Sequence, residues 1–340
     1  MELKSKKRII GNMEYIDSIY EVKNISIHSE DRNIQYWKNA SHFSIDLPEP
    51  VKNIKALQLK DIEMPILYSF SKSYNNCSFD ISCDFQESVS IKTITITEGN
   101  YTGEQMAFEL QNQLNYIFRG NDNVYDSNDV SKQFHVFYHE VMDKCIIIHP
   151  TQKFELFKTD ETNNYDLLYY LGFEYSSSRD KTNGISSMGY DLSLNNLDTI
   201  HFMYSSIKST NPNINEHPLQ YLGSTMNSLN VVIPHTKQRI YGEKMIYIEV
   251  DGFNSINELE PNTTKSFKVN SAISYVKNKY KSDIISHDNE SIISDNQTIF
   301  KVTKERIQKL TFKFRFHNGK FVDFHNSPFS FMLSFTTIRE

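Results

Sequence analysis

Four sets of residues have the types that could do chemistry. His135 and His139, followed by Glu140, have the make-up of a metal pair. Two histidines four apart share a metal only on a helix, and the surrounding pattern is β, where the rise per residue sets them about 13 Å apart on one face. Cys145 carries a sulfur nucleophile, but it opens the apolar run Cys-Ile-Ile-Ile and reads as an inert core thiol. Asp251, Glu258 and Glu260 form an acidic group in a loop, and paired carboxylates can hydrolyse glycosides when a groove fixes their separation. Asp122, Asp126 and Asp129 offer oxygen ligands for Ca²⁺ without the alternate spacing, the Gly or the terminal Glu of an EF-hand loop. No G-x-S-x-G elbow, G-x-G-x-x-G or G-x-x-x-x-G-K-[ST] loop occurs. These residues make no catalytic constellation, and no metal, cofactor or small-molecule substrate is expected.

The elements that must position any site are mostly strands. Leu310, Phe312, Phe314 and Phe316 alternate with Thr311, Lys313, Arg315 and His317, which puts four large apolar groups on one face of a strand. Asn318-Gly319 follows, the dipeptide favoured where both central residues of a type I′ turn need positive φ, so a return strand is expected over 320–324. After Pro328 the alternation resumes with Phe329, Phe331, Leu333 and Phe335. Phe312, Phe314, Phe316, Phe331 and Phe335 are the expected core. Aromatics at this spacing could instead form a platform for sugars or single-stranded nucleic acid, but such platforms use Tyr and Trp with polar handles, and these strands use Phe.

Earlier strands are expected at 22–29, 42–47, 51–64, 77–83, 89–97, 133–140 and 144–149, with Pro48 and Pro50 separating the second from the third. Later ones are expected at 199–204, 229–233, 245–250, 266–269 and 298–302. Thr102-Gly103-Glu104-Gln105 fits a capping box, and Met106, Leu110, Leu114 and Ile117 give a helical stripe, so a helix is expected over 103–119. A short helix over 165–173 ends at Gly172. Residues 121–129, 174–189, 210–216 and 277–297 are polar and turn-rich and read as surface loops. Strand runs with two helices, without βαβ alternation, point to an all-β, mainly antiparallel sandwich or barrel.

Composition narrows the function class. The 340 residues carry 36 Lys+Arg against 42 Asp+Glu, a net charge of −6 that argues against a dedicated nucleic-acid binder. Only the start is basic: Lys4, Lys6, Lys7 and Arg8 lie in a stretch without hydrophobic period, a flexible arm over 1–22 suited to a neighbouring subunit, nucleic acid or an anionic membrane. The remainder, 23–340, reads as one sandwich with insertions, and a division into two β domains would fall near 205–240. Three cysteines without a C-x-x-C pair suggest neither a disulfide framework nor a thiolate zinc site, which fits a reducing compartment.

Two blocks at opposite ends carry a resemblance. Ile27-His-Ser-Glu-Asp-Arg-Asn-Ile-Gln-Tyr-Trp-Lys-Asn-Ala-Ser-His-Phe-Ser-Ile-Asp-Leu-Pro-Glu-Pro, continued by Val51-Lys-Asn-Ile-Lys-Ala-Leu-Gln-Leu-Lys-Asp-Ile-Glu-Met-Pro, resembles the opening of minor capsid proteins of nucleocytoplasmic large double-stranded DNA viruses, mimivirus-like members above all. Ile96-Thr-Glu-Gly-Asn-Tyr-Thr-Gly-Glu-Gln, the Leu171-Gly-Phe triplet, Tyr247-Ile-Glu-Val-Asp-Gly-Phe and the strand, Asn-Gly turn and Phe-rich strand over 310–335 are similar to later parts of that family. Residues 211–236 and 277–296 carry no such likeness. The resemblance implies a jelly-roll-type β-sandwich with one long and one short inserted helix and long loops, and a structural, non-enzymatic role in an icosahedral virion assembled in the host cytoplasm. Major capsid subunits and other minor capsid proteins are the implied partners, with the basic arm suited to DNA or an inner membrane. A pentameric vertex (penton) protein is the alternative within that class; a virion-associated carbohydrate-binding or glycan-cleaving sandwich is the alternative outside it.

Overall fold

The computed structural model describes residues 8–10, 13–15, 19–83, 91–121, 124–160, 162–174, 184–191, 228–253, 272–278 and 298–339. In chain order the strands are β1 (Arg8–Ile10), β2 (Met13–Tyr15), β3 (Ile19–His28), β4 (His42–Glu63), β5 (Ser78–Cys83), β6 (Ile91–Thr95), β7 (His135–His139), β8 (Lys144–His149) and β9 (Phe154–Phe157). They continue with β10 (Ile185–Ser186), β11 (Met188–Asp191), β12 (Ser228–Val232), β13 (Met245–Val250), β14 (Ser274–Lys277), β15 (Thr298–Phe316) and β16 (Ser330–Arg339). The helices are α1 (Gly103–Ile117) and α2 (Leu167–Tyr170). The chain forms two compact units: Met1–Leu67 with Glu243–Glu340, and Tyr68–Gly242 inserted between those halves.

In the first unit six strands hydrogen-bond in the order β14-β13-β15-β4-β16-β3, every pair antiparallel. Two are long, β4 with 22 residues and β15 with 19. Their mutual register jumps from Ile307 opposite Val51 to Lys309 opposite Asp46, which leaves Pro48 and Pro50 within the extra residues. Proline cannot donate to a ladder and the unequal residue count bends the strands, so each long strand gives one half to each of two sheets. Counting the halves separately makes eight strands. The first sheet, β3, β16, residues 51–63 of β4 and residues 298–307 of β15, has the chain order 1-8-3-6. The second, residues 42–46 of β4, residues 309–316 of β15, β13 and β14, has the order 2-7-4-5. This interleaving of first with last and second with next-to-last is the jelly roll.

The two sheets pack face to face through phenylalanine. Phe331 on β16 lies 5.0 Å from Phe312 and 5.7 Å from Phe314 by ring centroid, although β16 is not hydrogen-bonded to that half of β15. Phe43, Phe312, Phe314 and Phe335 are 0% exposed, with Phe331 and Phe316 buried beside them.

The Asn-Gly hairpin differs from expectation. The Gly319 N–H donates to the Phe316 carbonyl at 2.9 Å, the Phe316 N–H donates to Lys320 at 2.9 Å, and within the pair only Gly319 has positive φ, +80°. The loop is therefore the three-residue kind ending in a left-handed residue, not a two-residue type I′ turn. Asn318 is spared positive φ because its side chain shapes the turn, Oδ1 accepting from the Lys320 N–H at 3.0 Å and Nδ2 donating to Glu243 at 3.1 Å. The expected return strand over 320–324 is reduced to a bridge between Arg315 and Phe321. Past it Phe324 and Phe329 turn inward, stacked at 4.1 Å, against Phe314.

The second unit holds two antiparallel four-stranded sheets, β10-β9-β5-β6 and β11-β12-β8-β7. One core draws on both sheets and on α1: Phe79, Ile94, Leu110, Leu114, Val136, Ile147, Leu156 and Val232 belong to it. The capping box starts α1, with the Gln105 N–H donating to Thr102 Oγ1 at 3.2 Å and the Thr102 N–H to Gln105 Oε1 at 3.0 Å. Gly172, at φ +90°, closes α2 against the Thr236 carbonyl, where a Cβ would collide. The segment 174–189, expected as loop, contributes β10 and the start of β11. β9 was also missing from the expected strands, and β3 begins at Ile19 rather than 22. The strands expected at 199–204 and 266–269, and residues 205–227 of the considered boundary, lie outside the described residues.

Candidate interaction surface

Those residues singled out for chemistry that are described take structural roles. His135 and His139 sit on one strand, β7, both buried, and among the described residues no group of three or more His, Cys, Asp or Glu is placed to hold a metal. Cys77, Cys83 and Cys145 are buried free thiols; burial pushes the first two up to about 12 and raises Cys145 as well, so all three stay protonated. Asp126 and Asp129 accept from the backbone N–H groups of Asn128 and Ser131, shaping turns, and Asp122 lies outside the described residues. Asp251 is held by Lys313 at 2.9 Å, while Glu258 and Glu260 lie outside the described residues. No helix among the described residues is long and apolar enough to cross a membrane.

What the jelly roll does assemble is a mixed aromatic and charged face. Strand alternation turns Thr311, Lys313 and Arg315 outward because Phe312, Phe314 and Phe316 face the core. Register then sets Ser44 opposite Thr311 and His42 opposite Lys313 on one side, with Glu249 opposite Lys313 and Tyr247 opposite Arg315 on the other. Ser44 and Thr311 share a hydroxyl hydrogen bond of 2.7 Å. The Arg315 guanidinium lies 4.0 Å over the Phe321 ring and 3.5 Å from Glu249. Phe321 stacks on His42 at 5.8 Å, and His42 meets Trp37 at 4.9 Å. Tyr247 extends the face toward Tyr275 and His317, at 6.3 and 6.2 Å.

The electrostatics show that this face is partly dehydrated already. Burial raises the Glu249 carboxyl against the opposing pull of Arg315 and Lys313. Burial first, then Lys313, holds His42 below the ordinary histidine range, so at neutral pH its ring is uncharged and free to stack. Beside it the loop after β3 presents Tyr36 at 84% and Ile34 at 59% exposure. That loop is tied in place: Arg32 Nε donates to the Trp37 carbonyl at 3.0 Å, Asn33 Oδ1 accepts from the Gln35 and Tyr36 N–H groups, and Asn39 Oδ1 accepts from Ser41. Ordered Trp, Tyr and Arg at the rim of a rigid sheet is the composition of protein interface anchors, and the fixed backbone lowers the entropy lost on docking.

Of the residues expected to be structural signatures, Phe312, Phe314, Phe316, Phe331 and Phe335 line the jelly-roll core, Asn318 and Gly319 make its hairpin loop, and Thr102 and Gln105 cap α1 of the other unit. The outward set of Trp37, His42, Glu249, Arg315 and Phe321 was not picked out. The one available sign was the single tryptophan in a polar run; the pairing of residues some 270 positions apart was invisible.

No family model matches the chain, and no curated protein matches it. Among solved structures it is similar to the penton protein of mavirus, at a TM-score of 0.39 and 13% identity over 93% of this chain and 99% of that one. It is also similar to a chain of the Sputnik virophage, at 0.36 and 9% over 94% and 98%. At scores this low neither likeness decides the fold, which rests on the strand register.

Proposed function

We propose that the chain is a structural, non-enzymatic protein of an icosahedral viral shell, a minor capsid component that cements major capsid subunits. The observation that carries this reading is the strand order 1-8-3-6 and 2-7-4-5. Jelly rolls also serve as lectin and cupin domains. The choice among these rests on the two sequence blocks resembling minor capsid proteins, which fall on the end of β3, β4, residues 310–316 of β15 and the first part of β16, that is, on the first, second, third, seventh and eighth strands of the roll. The ordered aromatic face around Trp37 and Arg315 suits contact with neighbouring subunits, because a shell joined through several modest contacts gains its strength from their number. The segments over 121–129, 174–189, 210–236 and 277–297, apart from the strands β10, β11 and β12 that run through two of them, and the basic N-terminal arm toward DNA or an inner membrane, are further contact regions in this reading.

Quantitative mass spectrometry of purified particles tests it. Hundreds of copies or more per particle are expected for a cement component. About 60 copies, roughly five at each of about twelve vertices, would instead make it the penton by symmetry alone. Absence from particles would overturn both and turn attention to glycan binding.

A further inference from the structure

We propose that β3 is a homodimerisation edge, pairing antiparallel with the β3 of a second copy about a two-fold axis through Val22. β3 is the last strand of the jelly-roll sheet order, with β16 its single hydrogen-bonded neighbour among the described residues. Its register with β16 runs unbroken from His28 opposite Ser330 to Ile19 opposite Arg339. The Ser29 N–H donates to the Phe329 carbonyl at 2.8 Å, and the Glu21 carbonyl accepts from Thr337 Oγ1 at 3.3 Å. Alternate residues of an antiparallel strand direct their backbone groups the same way, so odd-numbered residues spend theirs on β16. Tyr20, Val22, Asn24 and Ser26 therefore turn their N–H and C=O groups to the open side. Residues 20–24 are also exposed on both faces, Tyr20 at 43% and Val22 at 57%, so the sandwich does not obstruct an approaching strand. A long, regular edge of this kind is a template for another strand unless something blunts it.

The charges select the occupant and the register. Centring the two-fold on Glu21 opposes two carboxylates, and centring it on Lys23 opposes two ammonium groups. Centring it on Val22 sets Glu21 of each copy opposite the partner's Lys23, twice by symmetry, with Tyr20 opposite Asn24. Because Val22 is then a hydrogen-bonded pair, the flanking Glu21 and Lys23 fall in the closer, non-hydrogen-bonded pairs where cross-strand side chains interact most strongly. Lys23 has an existing contact with Glu49 at 3.5 Å, but both groups are well exposed, 43% and 81%, so it competes little. The isologous pair closes on itself, so the edge is consumed by one partner and does not propagate into a fibre. This inference does not depend on the capsid reading.

Sedimentation velocity of the full chain across a concentration series tests it. A dimer is expected; Glu21→Lys and Lys23→Glu should each weaken it at least about tenfold, since either change turns both symmetric pairs repulsive. An equimolar mixture of the two variants should regain association as a heterodimer, because every facing pair is then opposite in charge. A monomer at every concentration, a dimer indifferent to both substitutions, or a mixture no tighter than its separate components would each overturn the proposal.

Discussion

The two units reach their cores by opposite routes. In the jelly roll the side-chain hydrogen bond between Ser44 and Thr311 spans 267 positions, and Phe43 packs on Phe312 and Phe314 across slightly larger separations. In the inserted unit the Thr102 capping box spans 3 positions, and the contact of Cys145 with Gln238 spans 93. The sandwich forms only when both ends of the chain arrive, whereas residues 68–242 supply their own sheets, helix and core. Loop-closure entropy grows only logarithmically with length, so a self-supporting insert between the third and fourth strands of the roll costs little beyond a shorter loop. The contrast teaches that the roll closes its core only by bringing the two ends of the chain together, while the insert closes its core, from Phe70 to Ile240, within its own segment.

Three perturbations sharpen or break that contrast. The largest is Phe314→Ala. Its ring is fully buried against Phe43, Phe324, Phe329 and Phe331, and removing it should destabilise the jelly roll by about 3–5 kcal/mol in chemical denaturation. A change near zero would mean the strand is an exposed interface and not a core.

Next is acid. His149 on β8 is 0% exposed; its Nδ1 accepts from the Thr151 and Gln152 N–H groups while Nε2 faces the Val124 carbonyl at 3.0 Å, which fixes the neutral Nε2–H form. Burial pulls its pKa down to about 4. The folded state then binds fewer protons than the unfolded one, so its stabilisation is complete above about pH 6.5 and is lost as the pH falls toward 4, by at most about 3 kcal/mol. Thermal unfolding between pH 7 and 4 should show this in the insert, and His149→Gln should flatten the dependence.

The smallest effect is Thr102→Ala, which removes the acceptor for the Gln105 N–H and should cost about 1 kcal/mol, read as a lower midpoint for the transition that melts α1. A cost confined to the jelly-roll transition would contradict the division into separately stabilised units.

Local signals in the sequence were faithful where structure is decided locally. The capping box at Thr102 and Gln105, the stripe of Met106, Leu110 and Leu114, and the alternation from Leu310 to Phe316 all depend on neighbours within a few residues. The same reasoning split β4 at Pro48 and Pro50, because it registers that proline interrupts a ladder but not that the chain bends and continues into a second sheet. It favoured a type I′ turn at Asn318 because a dipeptide preference contains no information about the Glu243 carboxylate that holds the Asn318 amide. The outward face was illegible for a related reason: Trp37, His42, Arg315 and Phe321 become neighbours only through register.

By itself the sequence determined the class of element over most of the described residues and the phenylalanine identity of the jelly-roll core, since these follow from side-chain period and residue type. The tertiary structure alone decided which halves of β4 and β15 belong to which sheet, that the phenylalanines after Pro328 and before it share one core with Phe314, and that β3 is left at an edge. Those outcomes depend on which distant strands pair, and pairing is fixed by the simultaneous burial of one whole face of the roll, a condition that no single stretch of residues contains.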